Sequence, residues 1–598
     1  MNNSNLTKII SSSNQIWRER LDTVSAREAL TMAQIGGVSD SLARILAGRG
    51  ITYPAMNKFL NPRLRDFLPD PSILSDMDKA ANLLADAIEA KKKIAIFGDY
   101  DVDGACSSAL LASYLRDVGI KYEIYIPDRI FEGYGPNIEA IQTLAQNGSN
   151  LLVTVDCGST SYDPLTEAKR LGLTTIVLDH HQVNHELPDA NALVNPNRQD
   201  DLSNLGICCA AGVVFITLVA LNRELRNRNF FKQRPEPDLM ACLDLVALAT
   251  VADVVPLTGL NRAFVAQGVK IMHQRGRIGL RALIDCARVN GPVEAWHLGF
   301  LLGPRINAGG RIGNAALGAK LLMSQNVQEA EMIATQLESL NKDRQTVEHI
   351  MVQEAIAQAE ARLARLEKEP QVIVTNQADW HAGIVGLVAS RLKERFQKPA
   401  FAFAVGSDGS GTGSGRSVAG VDIGGAVRAA VDAGLLVKGG GHAMAAGATI
   451  EAINLAEFES FLEKLLSKSV GQASANHAVL VDSTLSASGA TVDLLKDVLR
   501  AAPFGQGNPE PAFAFMSHTL IECTEVGSGG HLRIKLKSND GSTLGGIAFR
   551  ASGQPIGQAL QQAKGKLLHV VGTLNIDNYG GRERINLRVM DVAIPTVQ

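Results

Sequence analysis

GDYDVDG, residues 98 to 104, follows the apolar run Ile94 to Phe97 and leads into a helical pattern from Ala105 to Leu115. A short β-branched run before a turn reads as a strand buried on both faces of a parallel sheet. Two further runs repeat the arrangement. Leu151 to Val155 ends at Asp156 in VTVDCG, and Thr174 to Leu178 ends at Asp179, His180 and His181 in VLDHH. A fourth acid, Asp253, follows apolar residues in VADVVPL. Parallel strands of an open α/β sheet place the residues just after them along one edge, so these acids are expected to converge in one crevice.

Asp99, Asp101, Asp103, Asp156 and Asp253 packed together repel one another and take up protons unless cations hold them ionised. Oxygen-rich ligation with one or two imidazoles suits Mn²⁺ or Mg²⁺, whereas structural zinc usually recruits cysteines. Two such ions sharing a carboxylate can activate a water and stabilise the leaving oxygen of a phosphate ester. Single Asp-Gly pairs after strands are ordinary turns, and it is the repetition that points to a metal site. GDYDVDG also imitates an EF-hand loop, but position twelve is Leu110 instead of Glu, and the flanks read strand then helix.

The chain has 598 residues, enough for three or four domains, and 46% of them are hydrophobic. Seven cysteines (Cys106, Cys157, Cys208, Cys209, Cys242, Cys286, Cys523) form no CxxC pair, which predicts reduced thiols and a cytoplasmic protein. The start, MNNSNLTKIISSSNQIWRER, carries no apolar segment long enough for secretion, and no uninterrupted run of about 18 apolar residues appears, so a soluble protein is expected. The net charge of −3, from 58 basic and 61 acidic residues, does not advertise nucleic-acid binding, although acids neutralised by metal ions count toward that total.

Residues 1–75 read as short helical pieces, without assigned chemistry. Residues 76–325 read as a doubly wound parallel sheet followed by a mostly helical half, which carries Asp253, Arg305 and Arg311. Residues 326–369 carry apolar residues near helical spacing and no Gly, predicting one long connecting helix, with a hairpin broken near Asn341 as the alternative. Residues 370–475 read as a second, smaller α/β domain. Its Gly-rich stretches, GSDGSGTGSGRS and KGGGHAMAAG, are expected to be phosphate-cradling loops, with Ser414, Arg416, Gly440, Gly441 and His442 in a pocket shared with Arg305 or Arg311. Residues 476–598 read as an OB-like β-barrel. In HLRIKLKS, Arg533, Lys535 and Lys537 alternate with apolar residues, a positive strand face suited to a nucleic-acid backbone or to keeping an edge strand from aggregating. Arg582, Arg584 and Arg588 extend it, and Phe504, Phe549 or Tyr579 are candidates for stacking on bases.

GDYDVDG, VDCG, LDHH and ADVVPL, in that order, resemble the successive motifs of the DHH phosphoesterase superfamily. GPRINAGGR, WHAGIVGLVASR, GSGRS, GGGHAMAAG and PFGQGNPEP are similar to its bacterial branch of single-strand-specific exonucleases, over nearly the whole chain after about residue 75. The resemblance implies a DHH catalytic domain, a DHH-associated domain and an OB-like domain. It implies Asp101, Asp103, Asp156, His180 and Asp253 as ligands of Mn²⁺ or Mg²⁺, with Asp156 bridging two ions. His181 would face the scissile phosphate with Arg311 beside it, and Asp99 would stand in where related pyrophosphatases have a histidine and this chain has Phe97. It further implies 5′ to 3′ degradation of single-stranded DNA to nucleoside 5′-monophosphates, a 5′-phosphate pocket, roles in recombinational and mismatch repair, and partnership with single-strand-binding protein and a RecQ-like helicase. The alternatives are a phosphodiesterase acting on oligoribonucleotides or cyclic dinucleotides, and a DNA-binding scaffold without catalysis.

Overall fold

In the computed structural model, which describes residues 9, 11–129, 131–475, 478–527, 529–577 and 583–595, the run before GDYDVDG is the first strand of a five-stranded, all-parallel sheet. Its neighbours run in the order Tyr122–Tyr125, Ile94–Gly98, Leu151–Val155, Thr174–Leu178, Ala192–Val194. The chain order is thus 2-1-3-4-5, and the reversal falls between the first and third strands, the switch point at which ligands bind in such sheets. The three acid-bearing turns all leave the carboxyl ends of adjacent strands. Gly104 makes the first turn tight: a Cβ there would lie 2.3 Å from the Asp99 carbonyl oxygen. Asp101 caps the helix Val102–Asp117 by accepting from the N–H groups of Asp103 and Gly104 at 2.9 and 3.1 Å.

The connecting segment is a single helix, Val327–Leu363, about 55 Å long at 1.5 Å per residue. Its buried residues Ala330, Ala334, Leu337, Asn341, Arg344, Glu348, Met351 and Ala355 recur at three and four, so one stripe runs the whole length and no hairpin break occurs at Asn341. Beyond it, strands ordered Lys438–His442, Ala445–Glu451, Ser410–Arg416, Ala400–Val405, Ile373–Gln377 form a mixed sheet, in which only the last two pair in parallel.

Here the Gly-rich stretches depart from expectation. They are mainly strands, not loops: GSDGSGTGSGRS supplies the strand Ser410–Arg416, and KGGGHAMAAG supplies two antiparallel strands. Glycine alternates because the aromatic rings of the neighbouring strand occupy the buried side. A Cβ on Gly413 would lie 2.2 Å from the Phe403 ring, and one on Gly415 would lie 2.4 Å from Phe401. The opposite face is left to Thr412, Ser414 and Arg416.

The elements above belong to one of two compact units, Pro69–Val255 with Gly268–Asn476. The other unit takes its described residues from Met1–Leu68, Pro256–Gln267 and His477–Gln598. In it, strands Phe513–Val526, His531–Lys537, Thr543–Ala548, Arg584–Ala593 and Leu567–Asp577 close into a barrel, because Phe513–Val526 pairs with both His531–Lys537 and Leu567–Asp577. Register shifts within that long strand bend it enough to serve two neighbours. The N-terminal helices share the barrel's core: Met32, Leu42 and Leu46 are fully buried with Phe513, Phe515 and Leu568, each worth roughly 1.5–3 kcal/mol. Ile16–Glu19 pairs in parallel with Ala478–Val481, and Trp17 is buried with its indole N–H on Asp591 at 2.9 Å.

Arg262 ties the three segments of this unit together. Its guanidinium donates to the carbonyls of Phe59, Ala501, Ala502 and Pro503 at 2.7–3.3 Å and lies over the Phe59 ring. Burial lowers its pKa to about 10. Arg262→Ala leaves these buried acceptors without their charged donor and is expected to destabilise the unit by about 3 kcal/mol. Thermal unfolding followed by circular dichroism checks this, and an unchanged midpoint would refute it.

Candidate metal centre

Every acid expected at the sheet edge lies in one cluster. His180 Nε2 stands 3.3 Å from Asp156 Oδ1, 3.8 Å from Asp103 Oδ2 and 3.8 Å from Asp253 Oδ2. The groups Asp103–His180–Asp253, Asp99–Asp101–Asp156 and Asp156–His180–His181 each bring three ligand atoms within 4.8 Å of one another. Asp156 belongs to two of these and touches the third through His180, so it lies between two overlapping oxygen-rich sets. One set is completed by an imidazole, and the other contains Asp99. Phe97 itself is buried and stacked on Tyr125 at 5.3 Å.

Local backbone aims these groups. Asp156 sits in the left-handed region at φ 61°, rarely adopted by a residue with a side chain but tolerated best by Asp and Asn. Asp103 accepts from the N–H groups of Ala210 and Ala211 at 2.6 and 2.8 Å, the start of the helix Ala210–Asn227. Asp253 caps the end of the helix Leu243–Ala252. His180 Nδ1 faces the Cys208 carbonyl oxygen at 3.1 Å, which fixes the tautomer that turns an Nε2 lone pair toward the acids.

The cluster has the electrostatics of a cation site. Burial and then the charges of Asp103, Asp101 and Asp99 hold the Asp156 carboxyl well above the usual range. Asp99 and Asp253 are raised in the same way, by burial and neighbouring aspartates. Asp103 is also raised by burial, with His180 opposing. Asp156 Oδ1 and Asp99 Oδ1 are buried without a hydrogen-bond partner, a costly condition that a divalent ion would remove. Nearly all-oxygen donors with one imidazole fit Mn²⁺ or Mg²⁺.

Asp179 behaves differently from its neighbours. Burial would raise its carboxyl, but the hydrogen bond from His181 and the charges of both histidines hold it below the usual range. It accepts from the backbone N–H of His180 and of His181, from His181 Nδ1 at 2.8 Å and from Ser159 N–H. Burial would lower the His181 pKa, but Asp179, joined by Asp99 and Asp253, raises it to about 9. An imidazolium with Nδ1 engaged on Asp179 keeps its Nε2 proton for a ligand.

Arginines from both the first and the second domain bring positive charge to the same edge. Arg311 donates to the Gly383 carbonyl at 2.9 Å, and its helix lies against the first turn so closely that a Cβ on Gly310 would be 2.5 Å from the Tyr100 carbonyl oxygen. Arg416 donates to Ser414 Oγ at 2.8 Å and packs over Gly386. Burial and then the charges of Arg129 and Arg416 lower Arg311 to about 10, and burial and Arg129 lower Arg416. Buried cations that repel one another mark a place for an anion. His442 is lowered by burial and then by the nearby charges of His181 and His180, and Gly440 and Gly441 lie on its strand. Arg305 is not drawn into the cluster: it pairs with Glu338 on the long helix and donates to the Leu301 carbonyl.

Two residues at the edge escaped the sequence reading. Tyr134 OH lies 3.0 Å from His181 Nδ1 and donates to the Asp156 carbonyl at 3.2 Å. Arg129 lies over the Tyr100 ring and acts electrostatically on Asp99, Arg311 and Arg416. Both belong to the loop after the second strand of the sheet, a position that places them on the edge the acids use.

On the barrel, Arg533, Lys535 and Lys537 point outward and Leu532, Ile534 and Leu536 inward. Arg533 pairs with Glu522 on the adjacent strand, and Arg588 with Glu510. Phe549 is exposed against His531, whereas Phe504 packs on the barrel core. Tyr579 and Arg582 lie outside the described residues.

A five-stranded parallel sheet with this acidic edge defines the DHH class, and residues 93–250 match the DHH family N-terminal domain. Residues 369–468 match the DHHA1 domain and 481–591 the RecJ OB domain. With this set of domains the chain belongs to the RecJ family. It is 36% identical over 516 residues to the single-stranded-DNA-specific exonuclease RecJ of Salmonella typhimurium (strain LT2), covering 85% of this chain and 88% of that one. To the protein of the same description from Bacillus subtilis (strain 168) it is 32% identical over 563 residues, covering 93% and 68%. The crystal structure of RecJ in complex with Mn²⁺ from Thermus thermophilus matches with a TM-score of 0.78 at 29% identity, covering 97% of this chain and 80% of that one. The Mg²⁺ complex from the same source matches with a TM-score of 0.73 at 28% identity, covering 97% and 79%.

Proposed function

We propose that the chain is an exonuclease that hydrolyses single-stranded DNA with Mn²⁺ or Mg²⁺, working from a 5′ end and releasing nucleoside 5′-monophosphates. The observation that carries this reading is the convergence of Asp99, Asp101, Asp103, Asp156, His180 and Asp253 on the switch point of a RecJ-family sheet, with two carboxylate oxygens buried and unpartnered. Asp103, His180 and Asp253 would hold one ion, Asp99 and Asp101 the other, and Asp156 both. Two divalent ions, when bound, supply an activated water and neutralise charge on the phosphodiester.

The chain's own residues do the remaining work. Cationic His181, held by Asp179, donates from Nε2 to a phosphate oxygen as its charge grows. Arg311, Arg416, Ser414 and Arg129 receive a phosphate, with Gly440, Gly441 and His442 closing the pocket. An anion seated there gives the strand an end to start from. Arg533, Lys535 and Lys537, with Phe549 beside them, offer the barrel's surface to the strand. Among the described residues no helix is long and apolar enough to cross a membrane. Free thiols at all seven cysteines support action in the cytoplasm, and family resemblance supports roles in recombination and mismatch repair with single-strand-binding protein and a RecQ-like helicase as partners.

Incubation of end-labelled single strands with Mn²⁺ and either the wild type or the Asp101→Ala, Asp103→Ala double variant tests the reading. A 5′ label released at once as mononucleotide, by the wild type alone, is the expected result. Binding without cleavage, or cleavage confined to cyclic dinucleotides, would overturn it. Arg416→Ala is expected to lower kcat/KM on 5′-phosphorylated strands roughly 10- to 100-fold, the worth of a charge-assisted contact, and to affect 5′-hydroxyl strands far less. Equal losses on both substrates would remove Arg416 from the pocket.

A further inference from the structure

The turn that leads into GPRINAGGR carries two aromatic side chains directed at solvent. Trp296 and Phe300 are 46% and 76% exposed and lie four residues apart, on one side of a helical segment. The backbone widens there into a π-helical turn, Leu298–Leu302, a form that recurs at functional sites. The inner side of this segment is Leu298 and Leu302, both fully buried, and glycines on its flank let it approach the acid-bearing elements. A Cβ on Gly299 would meet Val251 at 3.4 Å, and one on Gly303 would meet Ala252 at 3.4 Å and Val102 at 3.8 Å. Val251 and Ala252 end the helix capped by Asp253, and Val102 stands between Asp101 and Asp103. The aromatic face therefore lies about one helix diameter, roughly 10 Å, from the backbone segments that carry Asp101, Asp103 and Asp253.

The indole is held in place. Its N–H donates to Glu294 Oε2 at 2.9 Å, and its ring lies 3.9 Å from that of His297, whose Nδ1 accepts the Glu294 backbone N–H at 2.8 Å. A fixed aromatic surface left in water beside an active site points to a ligand with a flat face.

We infer that Trp296 and Phe300 form a stacking platform for unpaired bases of the strand that stays on the enzyme, about three nucleotides from the bond being broken at ~3.4 Å per stacked nucleotide. The inference rests on the single-strand exonuclease reading and adds a determinant of strand selectivity to it. Bases in a duplex have both faces covered by their neighbours, so only a single strand can use the platform. Stacking also tolerates any sequence, because every base has a π-face.

Trp17 and Trp380 are buried at 0% and 6% exposure, so Trp296 is the exposed one of the three tryptophans and its emission reports on the platform. The full chain, stopped from turnover by Asp101→Asn and Asp103→Asn, is titrated with an oligothymidylate in Mn²⁺ and then with a blunt duplex of equal length. Quenching by the single strand and not by the duplex is expected. In the active enzyme, Trp296→Ala should raise KM about tenfold, the worth of one stacked base, with a much smaller change in kcat, and Trp296→Phe should restore most of the loss. Unquenched emission in a protein whose wild type degrades single strands overturns the platform, as does equal quenching by duplex or an unaltered KM in Trp296→Ala. A wild type that degrades no single-stranded DNA instead overturns the functional reading beneath it.

Discussion

Replacing Asp156 by Asn is expected to lower the rate of strand degradation by about 10³-fold or more, which is about 4 kcal/mol of transition-state stabilisation, while making the metal-free protein more stable. Both effects have one cause. Asp156 is the carboxylate common to the two ligand sets, and without ions its Oδ1 is buried, unpartnered and surrounded by Asp99, Asp101, Asp103 and Asp253. The amide keeps the shape and accepts the left-handed backbone at φ 61°, so the change removes charge with little steric disturbance. Ions held through Asp156 would lose an anionic ligand, and the water activation and charge neutralisation they would supply would go with it. The repulsion goes too, a gain of about 1–3 kcal/mol, as is common when a strained functional group is relieved. Initial rates on labelled strands in Mn²⁺ and melting midpoints in EDTA read the two effects separately. A variant within tenfold of wild-type rate, or one that melts earlier in EDTA, would show that Asp156 is not the shared ligand.

The acids of this site were legible because strand, turn and residue type coincide three times within about a hundred residues: Ile94–Gly98, Leu151–Val155 and Thr174–Leu178 all end at an aspartate. Parallel-sheet topology then brings them together without further information. What stayed hidden depended on partners remote in the chain. Gly411, Gly413 and Gly415 carry no apolar pattern, so the strand Ser410–Arg416 read as a loop; Ile450, Phe403 and Phe401 on the two neighbouring strands explain it. The parallel pairing of Ile16–Glu19 with Ala478–Val481 has no local signature at all, and the N-terminal helices read only as short helical pieces although they complete the barrel's core. Arg129 and Tyr134 lie in an irregular loop, where periodicity says nothing. Arg305 and Arg311 were separable in principle. Six residues on one helix, at about 100° each, put them about 120° apart, so they point to different sides of the helix, and Arg305 turns to Glu338.

Affinity for Mn²⁺ is expected to climb steeply with pH, and the sign follows from the raised carboxyls. Asp99, Asp156 and Asp253, and less strongly Asp103, hold protons in the metal-free fold at pH values where the unfolded chain, with aspartate near 3.9, has lost them. Across that interval the native state binds the more protons, so the stability of the metal-free protein falls as pH rises from the ordinary carboxylate value through the raised ones. An ion needs the same oxygens deprotonated and must displace those protons. If roughly one to two leave per loading event, affinity rises about 10- to 100-fold per pH unit within the interval. The stabilisation that Mn²⁺ confers on the melting midpoint grows with pH in step. Calorimetric titration at several pH values, in pairs of buffers with different ionisation enthalpies, counts the protons directly, and Asp156→Asn should release fewer. An affinity flat with pH, with no protons expelled, would mean that these carboxylates are already ionised before the metal arrives, held by partners other than a cation.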